Sequence, residues 1–387
     1  MNTGRFILSQ IIDLVHRQTL DRIAKRYDPS GSFRHFGYRQ QFTCMVFAQM
    51  TSREGLRDIA TCINARPETL YHLGFTEPVA KSTLAEANEK RDWRIWEELA
   101  KTLMRKARPL YANEDLGLDL DNTIYALDSS TIDLSLTLFP WADFRQTKAG
   151  IKMHTQIDLR GPIPTCINIT GARQHDVGWL DHLFFEPGAF YLMDRGYMDF
   201  KRLALIARAG AFFVTRAKAN LKFTRHHSLS IDRLAGLRSD HVGKPTNQKS
   251  RDDFPMLLRK VTYYDAETCK EFVFLTNNLE IQALTVAMLY KRRWRIELFF
   301  RWIKGHLSIK HYYGTSPNAV KTQIWIAVCT YLMIAILHKQ LKLPGKLHRT
   351  LQILSVHPFE KTLINQLLAE TDHRSYSDSD PNQLILL

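Results

Sequence analysis

The pattern of apolar residues changes near Leu118, and this change constrains the fold more than any other feature of the sequence. Before Leu118 apolar residues recur at helical spacing. After it come short runs rich in β-branched and aromatic residues, bounded by turn-forming residues. The runs predict strands at Ile124–Leu134, Gly150–Leu159, Pro164–Thr170, Phe190–Met193 and Phe212–Thr215, with helices at Val177–Phe185 and Phe200–Ala209. Three strands followed by strand, helix and strand predict an α/β fold with a mixed sheet.

The first 118 residues are predicted to form an all-helical N-terminal domain. Its predicted helices are Phe6–Arg17, Arg39–Thr51, Glu54–Asn64 and Leu84–Arg105. The segments Leu56–Asn64 and Thr83–Glu97 resemble a helix-turn-helix, and Thr83 with Glu86 fits a capping box at the start of the second helix. The segment between them is longer than a tight turn, so a bundle whose helices only pack together remains an alternative.

A β-rich insertion is predicted to interrupt the α/β domain. It contains a basic polar loop, Arg238–Asp253, and a hairpin of Met256–Tyr264 with Glu271–Thr276. A single long helix, Ile281–His306, is predicted to follow, and the stretch from Thr371 onward is predicted to be a loose polar tail. The predicted domains are 1–118 (helical, DNA-binding or accessory), 119–220 (catalytic, first part), 221–280 (insertion), 281–340 (catalytic, second part) and 341–387 (helical segment and tail).

Charge and cysteine usage narrow the class of protein. The chain has 53 Lys and Arg against 39 Asp and Glu, a net charge of +14, which favours nucleic acid over an acidic membrane surface as partner. Five scattered cysteines favour a reducing compartment. The N-terminus lacks a signal-peptide pattern. The apolar run Ile324–Leu337 is shorter than the roughly 20 residues of a membrane span, so it predicts a buried helix in a cytoplasmic protein.

Glu297 is the only acidic residue between Glu280 and Glu360. The charged residues around it are basic: Lys291, Arg292, Arg293, Arg295, Arg301 and Lys304. A basic helix that only follows a phosphate backbone would be weakened by a central carboxylate. A helix that must also hold a divalent cation needs one, so the pattern favours a metal-binding role for Glu297.

Helical geometry places four polar residues on one stripe about 60° wide: Tyr290, Arg293, Glu297 and Lys304. The far side of this helix is apolar and suited to packing against a sheet; it carries Met288, Leu289, Ile296, Phe299 and Ile303. The alternative is a solvated face on which Glu297 pairs with Arg293 and Arg301 at helical spacing.

Two aspartates directly follow apolar runs that are predicted to be buried strands. Asp128 follows Ile124–Leu127, and Asp194 follows Phe190–Met193. An acid in such a position is costly unless it is paired or binds metal. Oxygen-only ligands suit Mg²⁺ or Mn²⁺ and not zinc. For either aspartate alone, a strand-end cap or a salt bridge with a neighbour such as Arg195 is the alternative.

Four other residues are weaker candidates for the same site. Asp133 lies an odd number of residues from Asp128 and is predicted to face the other side of the strand. Asp158 precedes a turn, where a solvated acid is ordinary. Lys152 and His154 lie two residues apart on a predicted strand and are candidates to line the site from one face, with ordinary strand positions as the alternative.

These motifs resemble the bacterial Insertion Sequence 4 family of transposases. The segments Ala126–Thr131 (ALDSST) and Met193–Tyr197 (MDRGY) are similar to that family's first and second catalytic blocks. The order of the blocks and the β-rich insertion before the third acid also agree, over about residues 120–340. The Y-(2)-R-(3)-E-(6)-K signature of the family is matched by Tyr290, Arg293, Glu297 and Lys304.

The resemblance implies a ribonuclease H-like catalytic fold with a DDE active site of Asp128, Asp194 and Glu297. Two Mg²⁺ or Mn²⁺ ions per site are implied, with Asp128 bridging both. Water would first free a 3′-hydroxyl, which would then attack another phosphodiester. The implied substrates are double-stranded inverted-repeat ends of a mobile element and target DNA. The implied complex contains at least two copies of the chain, on nucleoid DNA in the bacterial cytoplasm.

Further residues are implied to contact DNA. Tyr290, Arg293 and Lys304 are placed to hold phosphates near the scissile bond. Trp294 follows the signature arginine as in relatives, where an aromatic residue holds a flipped base. The other candidates are Arg195, Arg301, Lys152 and His154. Between residues 201 and 260 there are 14 Lys and Arg against four Asp, which predicts contact with the DNA backbone and salt-dependent binding.

Two alternatives remain beside the transposase. The first is a catalytically inactive, domesticated transposase that acts as a DNA-binding protein; retention of all three acids and of the full signature argues against it. The second is a different nuclease on the same fold, which the insertion and the signature helix disfavour.

Overall fold

The computed structural model describes residues 4–29, 31, 35–145, 148–307 and 311–368. The polar tail predicted from Thr371 onward lies outside these residues. The chain divides into two compact units: the first comprises Met1–Leu110 and Trp302–Leu387, and the second comprises Tyr111–Arg301.

The α-helices of the described residues are numbered along the chain. They are α1 (Ile7–Ile12), α2 (Arg17–Tyr27), α3 (Tyr38–Met50), α4 (Leu56–Asn64), α5 (Pro67–Leu70), α6 (Lys81–Lys90), α7 (Arg94–Ala107), α8 (Phe200–Arg208), α9 (Gln248–Asp253), α10 (Ala283–Arg292), α11 (Trp294–His306), α12 (Pro317–Gln340) and α13 (Leu347–Val356).

Helix α12 forms the core of the first unit, where it packs against α3, α6, α7 and α13. Among the described residues it is the one helix long and apolar enough to cross a membrane, but 94% of its most apolar window is buried inside the protein. The prediction of a buried helix at Ile324–Leu337 is confirmed. The helix has 24 residues, so the expectation that it is too short to span a membrane was wrong. Its burial identifies it as a core helix.

Two of the predicted N-terminal helices are each divided in the structure. The prediction Phe6–Arg17 covers α1 and the start of α2. The prediction Leu84–Arg105 covers parts of α6 and α7, because Arg91 has extended backbone (φ −78°, ψ 131°) and ends α6. The Asp92 carboxylate then accepts the Arg94 amide at 2.8 Å, at the start of α7.

The predicted capping box at Thr83 is wrong. Helix α6 begins at Lys81, and its N-cap is Ala80, which has no side chain that can accept a hydrogen bond. Between α4 and α6 lie α5 and a 3-10 turn, so these helices are not joined by a simple turn. A DNA-binding role for this region stays a prediction.

In the described part of the chain, ten strands form one mixed sheet in the second unit. They are β1 (Ile124–Leu134), β2 (Asp143–Arg145), β3 (Lys148–Asp158), β4 (Ile163–Gly171), β5 (Phe190–Met193), β6 (Phe212–Arg216), β7 (Phe223–Ser228), β8 (Leu237–Pro245), β9 (Leu258–Asp265) and β10 (Lys270–Thr276). Their order is β2-β3-β1-β5-β6-β10-β9-β8-β7, with β4 beside β3. The pairs β1–β5 and β5–β6 are parallel, and the remaining pairs are antiparallel.

The predicted mixed α/β sheet and the hairpin of β9 with β10 are confirmed. The segment predicted as a helix at Val177–Phe185 is instead a 3-10 helix, Asp176–His182. The predicted loop Arg238–Asp253 contains β8 and α9, because β8 pairs along its length with both β7 and β9. Strand β10 pairs with β6, so the strands after residue 221 extend the same sheet.

Candidate active site

Strand register brings Asp128 and Asp194 together. Strands β1 and β5 run parallel, and their last paired residues are Ala126 and Leu192. Two positions further along both strands are Asp128 and Asp194. Because neighbouring strands lie about 4.8 Å apart, the two aspartates occupy adjacent positions where β5 ends.

Asp194 also caps the 3-10 turn that follows β5. Its Oδ1 accepts the Gly196 amide at 2.6 Å, and its backbone oxygen accepts the Thr215 hydroxyl at 3.0 Å. A Cβ at position 196 would lie 2.8 Å from Asp194 Oδ1, so a larger residue there would displace this carboxylate oxygen. The strand-end cap that was the alternative for Asp194 is therefore present, and it fixes the carboxylate beside Asp128.

The predicted single helix Ile281–His306 is interrupted at Arg293, between α10 and α11. The Arg293 amide donates to the Tyr290 oxygen and the Ile296 amide donates to the Arg293 oxygen, both at 3.0 Å. These bonds span three residues instead of four, as in a 3-10 turn, which in mid-helix often marks a functional region. The turn coincides with the residue whose side chain reaches β1.

The Arg293 guanidinium joins two of the predicted acids. It donates to Asp128 Oδ2 at 2.9 Å and to Glu297 Oε1 at 2.5 Å. The side chains of Asp128, Arg293 and Glu297 are 22%, 14% and 31% exposed. The pairing of Glu297 with Arg293, which was the alternative for this helix, thus occurs. The Arg301 guanidinium instead lies over the Trp294 ring, 5.7 Å from its centroid.

The charges of the three acids act on one another. Burial raises the pKa of Asp128 to about 6, Arg293 opposes this rise, and the charges of Asp194 and Glu297 add to it. Asp128 lies on β1, next to the end of β5 and within reach of Arg293 before α11. A buried carboxyl with excess negative charge around it is typical of sites that take up cations or protons.

An aromatic cavity of about 420 Å³ opens beside Glu297. Its aromatic lining is Tyr263, Phe272, Phe274, Tyr290 and Trp294, and its cations are Arg216, Lys291 and Arg293. The Arg293 guanidinium lies 5.6 Å from the Tyr290 ring centroid. The predicted residues Tyr290, Arg293, Trp294 and Glu297 are therefore brought together, while the predicted apolar residue Met288 lines the cavity too.

Arg216 is a site residue that the sequence analysis missed. Its guanidinium lies 5.0 Å from the Phe272 ring centroid, inside the cavity lining. The available signal was positional: Arg216 lies beside Asp194 in the register, since Met193 pairs with Thr215. Basic residues at the end of a strand are common, so nothing in the local sequence distinguishes this one.

Lys152 and His154 do not line the site as predicted. They share a face of β3, as expected, but the register pairs Ser129 with His154 and Asp128 with Thr155. Because side chains alternate along a strand, Lys152 and His154 lie on the face opposite Asp128. His154 is fully buried, and Lys152 pairs with Asp176 at 3.0 Å.

The remaining predicted residues are placed as follows. Arg195 is exposed next to Asp194. Lys304 lies two helical turns after Glu297 on α11, in the part of the chain that belongs to the first unit. Asp133 lies on the same continuous strand as Asp128, five residues further on, so it faces the opposite side as predicted, and it is exposed. Asp158 is only 6% exposed, and its carboxylate accepts the Arg160 amide at 3.1 Å. The expectation of a solvated Asp158 was therefore wrong.

The three acids fit a divalent cation by chemistry. Carboxylate oxygens are the ligands that Mg²⁺ and Mn²⁺ prefer, and the negative charge around Asp128 exceeds the single positive charge of Arg293. Within the described ranges no three His, Cys, Asp or Glu side chains are grouped closely enough to hold a metal ion. Asp128 and Glu297 give their oxygens to Arg293, so an ion would replace contacts that the guanidinium makes.

Sequence comparison supplies independent information. The family described as "Transposase DDE domain" matches residues 119–333, more than half of the chain, and a domain of unknown function matches residues 3–76. Putative transposase y4zB of Sinorhizobium fredii is 34% identical over 260 residues, covering 65% of this chain and 70% of that protein.

Two further relatives carry similar names. The probable transposase for insertion sequence element IS5377 of Geobacillus stearothermophilus is 28% identical over 58% of this chain and 59% of its own length. The putative transposase for insertion sequence element IS4SA of Synechocystis is 25% identical over 74% of this chain and 77% of its own. A solved piggyBac transposase synaptic complex with hairpin DNA covers 97% of this chain and 80% of that one at 11% identity, and its TM-score of 0.41 is too low to assign a fold.

Proposed function

Because this chain belongs to the family of transposases with a DDE domain and is a DNA transposase, we propose that Asp128, Asp194 and Glu297 are its three catalytic acids. The observation that carries this assignment is their convergence from distant parts of the sequence. The register of β1 and β5 sets Asp194 beside Asp128, and Arg293 bonds both Asp128 and Glu297. Asp133, by comparison, is exposed further along β1.

The three carboxylates are proposed to hold two Mg²⁺ or Mn²⁺ ions, with Asp128 shared between them. When bound, such ions activate the attacking oxygen and stabilise the leaving oxygen in phosphoryl transfer. Ionised Asp128 is required for this role, and burial works against its ionisation. The Ser129 amide counters this cost by donating to Asp128, and the Gly196 amide fixes the orientation of the Asp194 carboxylate.

Arg293 is proposed to move between two partners in the reaction. It bonds Asp128 and Glu297 in the structure, and its fork of guanidinium donors suits a scissile phosphate as well as a carboxylate. The Tyr290 ring centroid lies 5.6 Å from the Arg293 guanidinium, and both residues line the cavity. Arg293 would then stabilise the charge that develops on the phosphate in the transition state.

The aromatic cavity is proposed to hold a base displaced from the DNA end. Trp294 and Tyr290 offer ring faces for stacking, and Arg216 and Lys291 offer positive charge for the backbone on either side. Lys304, Arg301 and Arg195 are proposed as backbone contacts at its approach, together with the basic region of residues 201–260.

Three finer assignments accompany this proposal. The spacing of Tyr290, Arg293, Glu297 and Lys304 supports membership of the Insertion Sequence 4 family. The parallel β1–β5–β6 core with antiparallel β3 and β4 supports a ribonuclease H-like catalytic fold. The working complex is proposed to hold two transposon ends and at least two copies of the chain on bacterial nucleoid DNA. An inactive DNA-binding protein is not favoured, since all three acids are present and its relatives are named transposases.

The test is cleavage of DNA that carries the inverted repeats flanking the coding region, in Mg²⁺. Asp128→Asn, Asp194→Asn and Glu297→Gln remove one negative charge each with little change of shape. Each is expected to abolish cleavage while end binding persists. Asp133→Asn, on the same strand as Asp128 but exposed, is the matched control and is expected to cleave normally. Normal cleavage by any of the three variants would remove that residue from the assignment.

A further inference from the structure

A fourth acid lies behind Asp128, on the other face of the sheet. Asp176 begins the 3-10 helix after β4, and its Oδ1 accepts the Ser129 hydroxyl at 2.6 Å. Lys152 lies 3.0 Å from the same oxygen. Ser129 is thus held at two points, because its amide also donates to Asp128 Oδ1 at 2.8 Å. One residue therefore connects the Asp176 carboxylate with the Asp128 carboxylate.

The Asp176 side chain is 35% exposed, and the polar residues that it contacts are more deeply buried. His154 is fully buried, its Nδ1 lies 3.7 Å from Asp176 Oδ1, and its Nε2 is 2.9 Å from the Thr170 hydroxyl. Burial lowers the pKa of His154 to about 4, so the ring is neutral at physiological pH. The positive charge that faces Asp176 is therefore that of Lys152, which is only 13% exposed.

Tyr197 extends this cluster to the second aspartate. It is 1% exposed, and its amide donates to the Asp194 backbone oxygen at 3.2 Å. The charges of Asp128, Asp176 and Asp194 all act on the Tyr197 hydroxyl, which places it among the three acids. The cluster thus contacts the Asp128 carboxylate through Ser129 and the Asp194 backbone through Tyr197.

An additional carboxylate near three others raises the repulsion in the site, so stability alone gives no reason to keep it. A hydrogen bond that fixes Ser129 does give a reason, because a catalytic carboxylate must keep one orientation when a cation or substrate approaches. Ligands of this kind are commonly oriented by residues one layer further out. Strand β5 ends at Met193, so β1 has no parallel neighbour at this level to hold it.

We propose that Asp176 is a positioning residue for Asp128: through Ser129 it fixes the strand and carboxylate from the opposite face of the sheet. The proposal rests on the proposed function, in which Asp128 is catalytic. Lys152 supports the Asp176 carboxylate, and neither residue contacts DNA. This assigns a role to Lys152, which the sequence singles out but the catalytic face does not use.

The test uses single-turnover cleavage of end DNA, end affinity and thermal melting of the full chain. Asp176→Ala and Ser129→Ala are expected to lower the cleavage rate about 10- to 100-fold, the range for residues that orient metal ligands. End affinity is expected to stay within about twofold. Ser129→Thr keeps the hydroxyl and is expected to restore the rate. The double variant is expected to be no slower than the slower single variant, because both changes break one connection.

The matched control is Asp181→Ala, which removes an exposed acid from the same 3-10 helix, where it pairs with half-buried Arg202. It is expected to cleave normally. The proposal is overturned if folded Asp176→Ala cleaves at the wild-type rate, or if Ser129→Thr does not restore the rate. It is also overturned if the losses of the two single variants multiply in the double variant. If Asp176→Ala does not fold, Ser129→Ala and Ser129→Thr decide it. Asp128→Asn in the same assay separates the outcomes: cleavage by that variant would contradict the proposed function instead.

Discussion

Replacing Asp128 with asparagine is expected to abolish cleavage and to make the folded protein more stable at neutral pH. The side chain is 22% exposed, and burial raises its pKa to about 6 from a usual value of 3.8. Above pH 6 the carboxyl is ionised in the folded and unfolded chain, but ionisation is less favourable in the folded chain. Asparagine has nearly the same shape and no charge, so it removes this cost.

The size of the effect follows from the pKa difference. A rise of about two pKa units corresponds to about 3 kcal/mol at roughly 1.4 kcal/mol per unit. The sign follows from proton binding: between about pH 4 and 6 the folded state holds more protons than the unfolded state, so wild-type stability rises as the pH falls. The advantage of the variant is therefore full above about pH 6 and disappears near pH 4.

The assay is urea unfolding of both proteins in EDTA, at pH 7.5 and at steps down to 4.5. The expected result is a free energy of unfolding that is about 3 kcal/mol higher for Asp128→Asn at pH 7.5 and converges with wild type at the acid end. Asp133→Asn, an exposed acid on the same strand, is expected to show no such difference. If the variant is less stable at pH 7.5, or if the difference in unfolding free energy does not change with pH, then burial does not disfavour the ionisation of Asp128 as described.

Three further expected outcomes concern Asp128, Arg293 and Asp240. The cleavage rate is expected to fall as the pH drops below about 6, because protonated Asp128 cannot hold a cation; a single-turnover rate that is flat from pH 5 to 7 would disagree. Arg293→Gln is expected to slow cleavage by about 100-fold or more, and Arg293→Lys is expected to recover little, because one ammonium cannot bond two partners as a guanidinium fork does. Asp240→Asn breaks a buried two-bond pair with Arg259 and is expected to cost about 3–5 kcal/mol by urea unfolding; a loss below about 1 kcal/mol would show that the pair matters little.

The strands that carry the candidate site could be predicted from the sequence. Strands β1 and β5 have the predicted bounds, because a run such as Phe190–Met193 is apolar at every position and is followed at once by a charge. Asp128 and Asp194 were selected on that pattern alone. Glu297 was selected because it is isolated among basic residues. Each of these patterns lies in the residues next to the acid in the sequence, so it can be recognised without knowledge of the fold.

The connections between these elements could not be predicted. Strand order and register depend on contacts between distant residues, so the opposite faces of Asp128 and His154 became visible only in the paired strands. The 3-10 turn lies at Arg293, whose guanidinium bonds to Asp128 on β1. Helical periodicity in the sequence contains no information about such a bond. Arg216 was missed for the same reason, since its place beside Asp194 is set by the parallel pairing of β5 with β6.

The most direct test of the central assignment is the position of Mn²⁺ in crystals of the protein with end DNA, located by anomalous diffraction. We expect density for two ions about 3.5–4 Å apart. Oxygens of Asp128, Asp194 and Glu297 are expected to be the protein ligands. The Arg293 guanidinium is expected to have turned from the carboxylates to a phosphate. Mn²⁺ bound elsewhere, or bound without any one of the three acids while DNA is cleaved in the crystal, would contradict it.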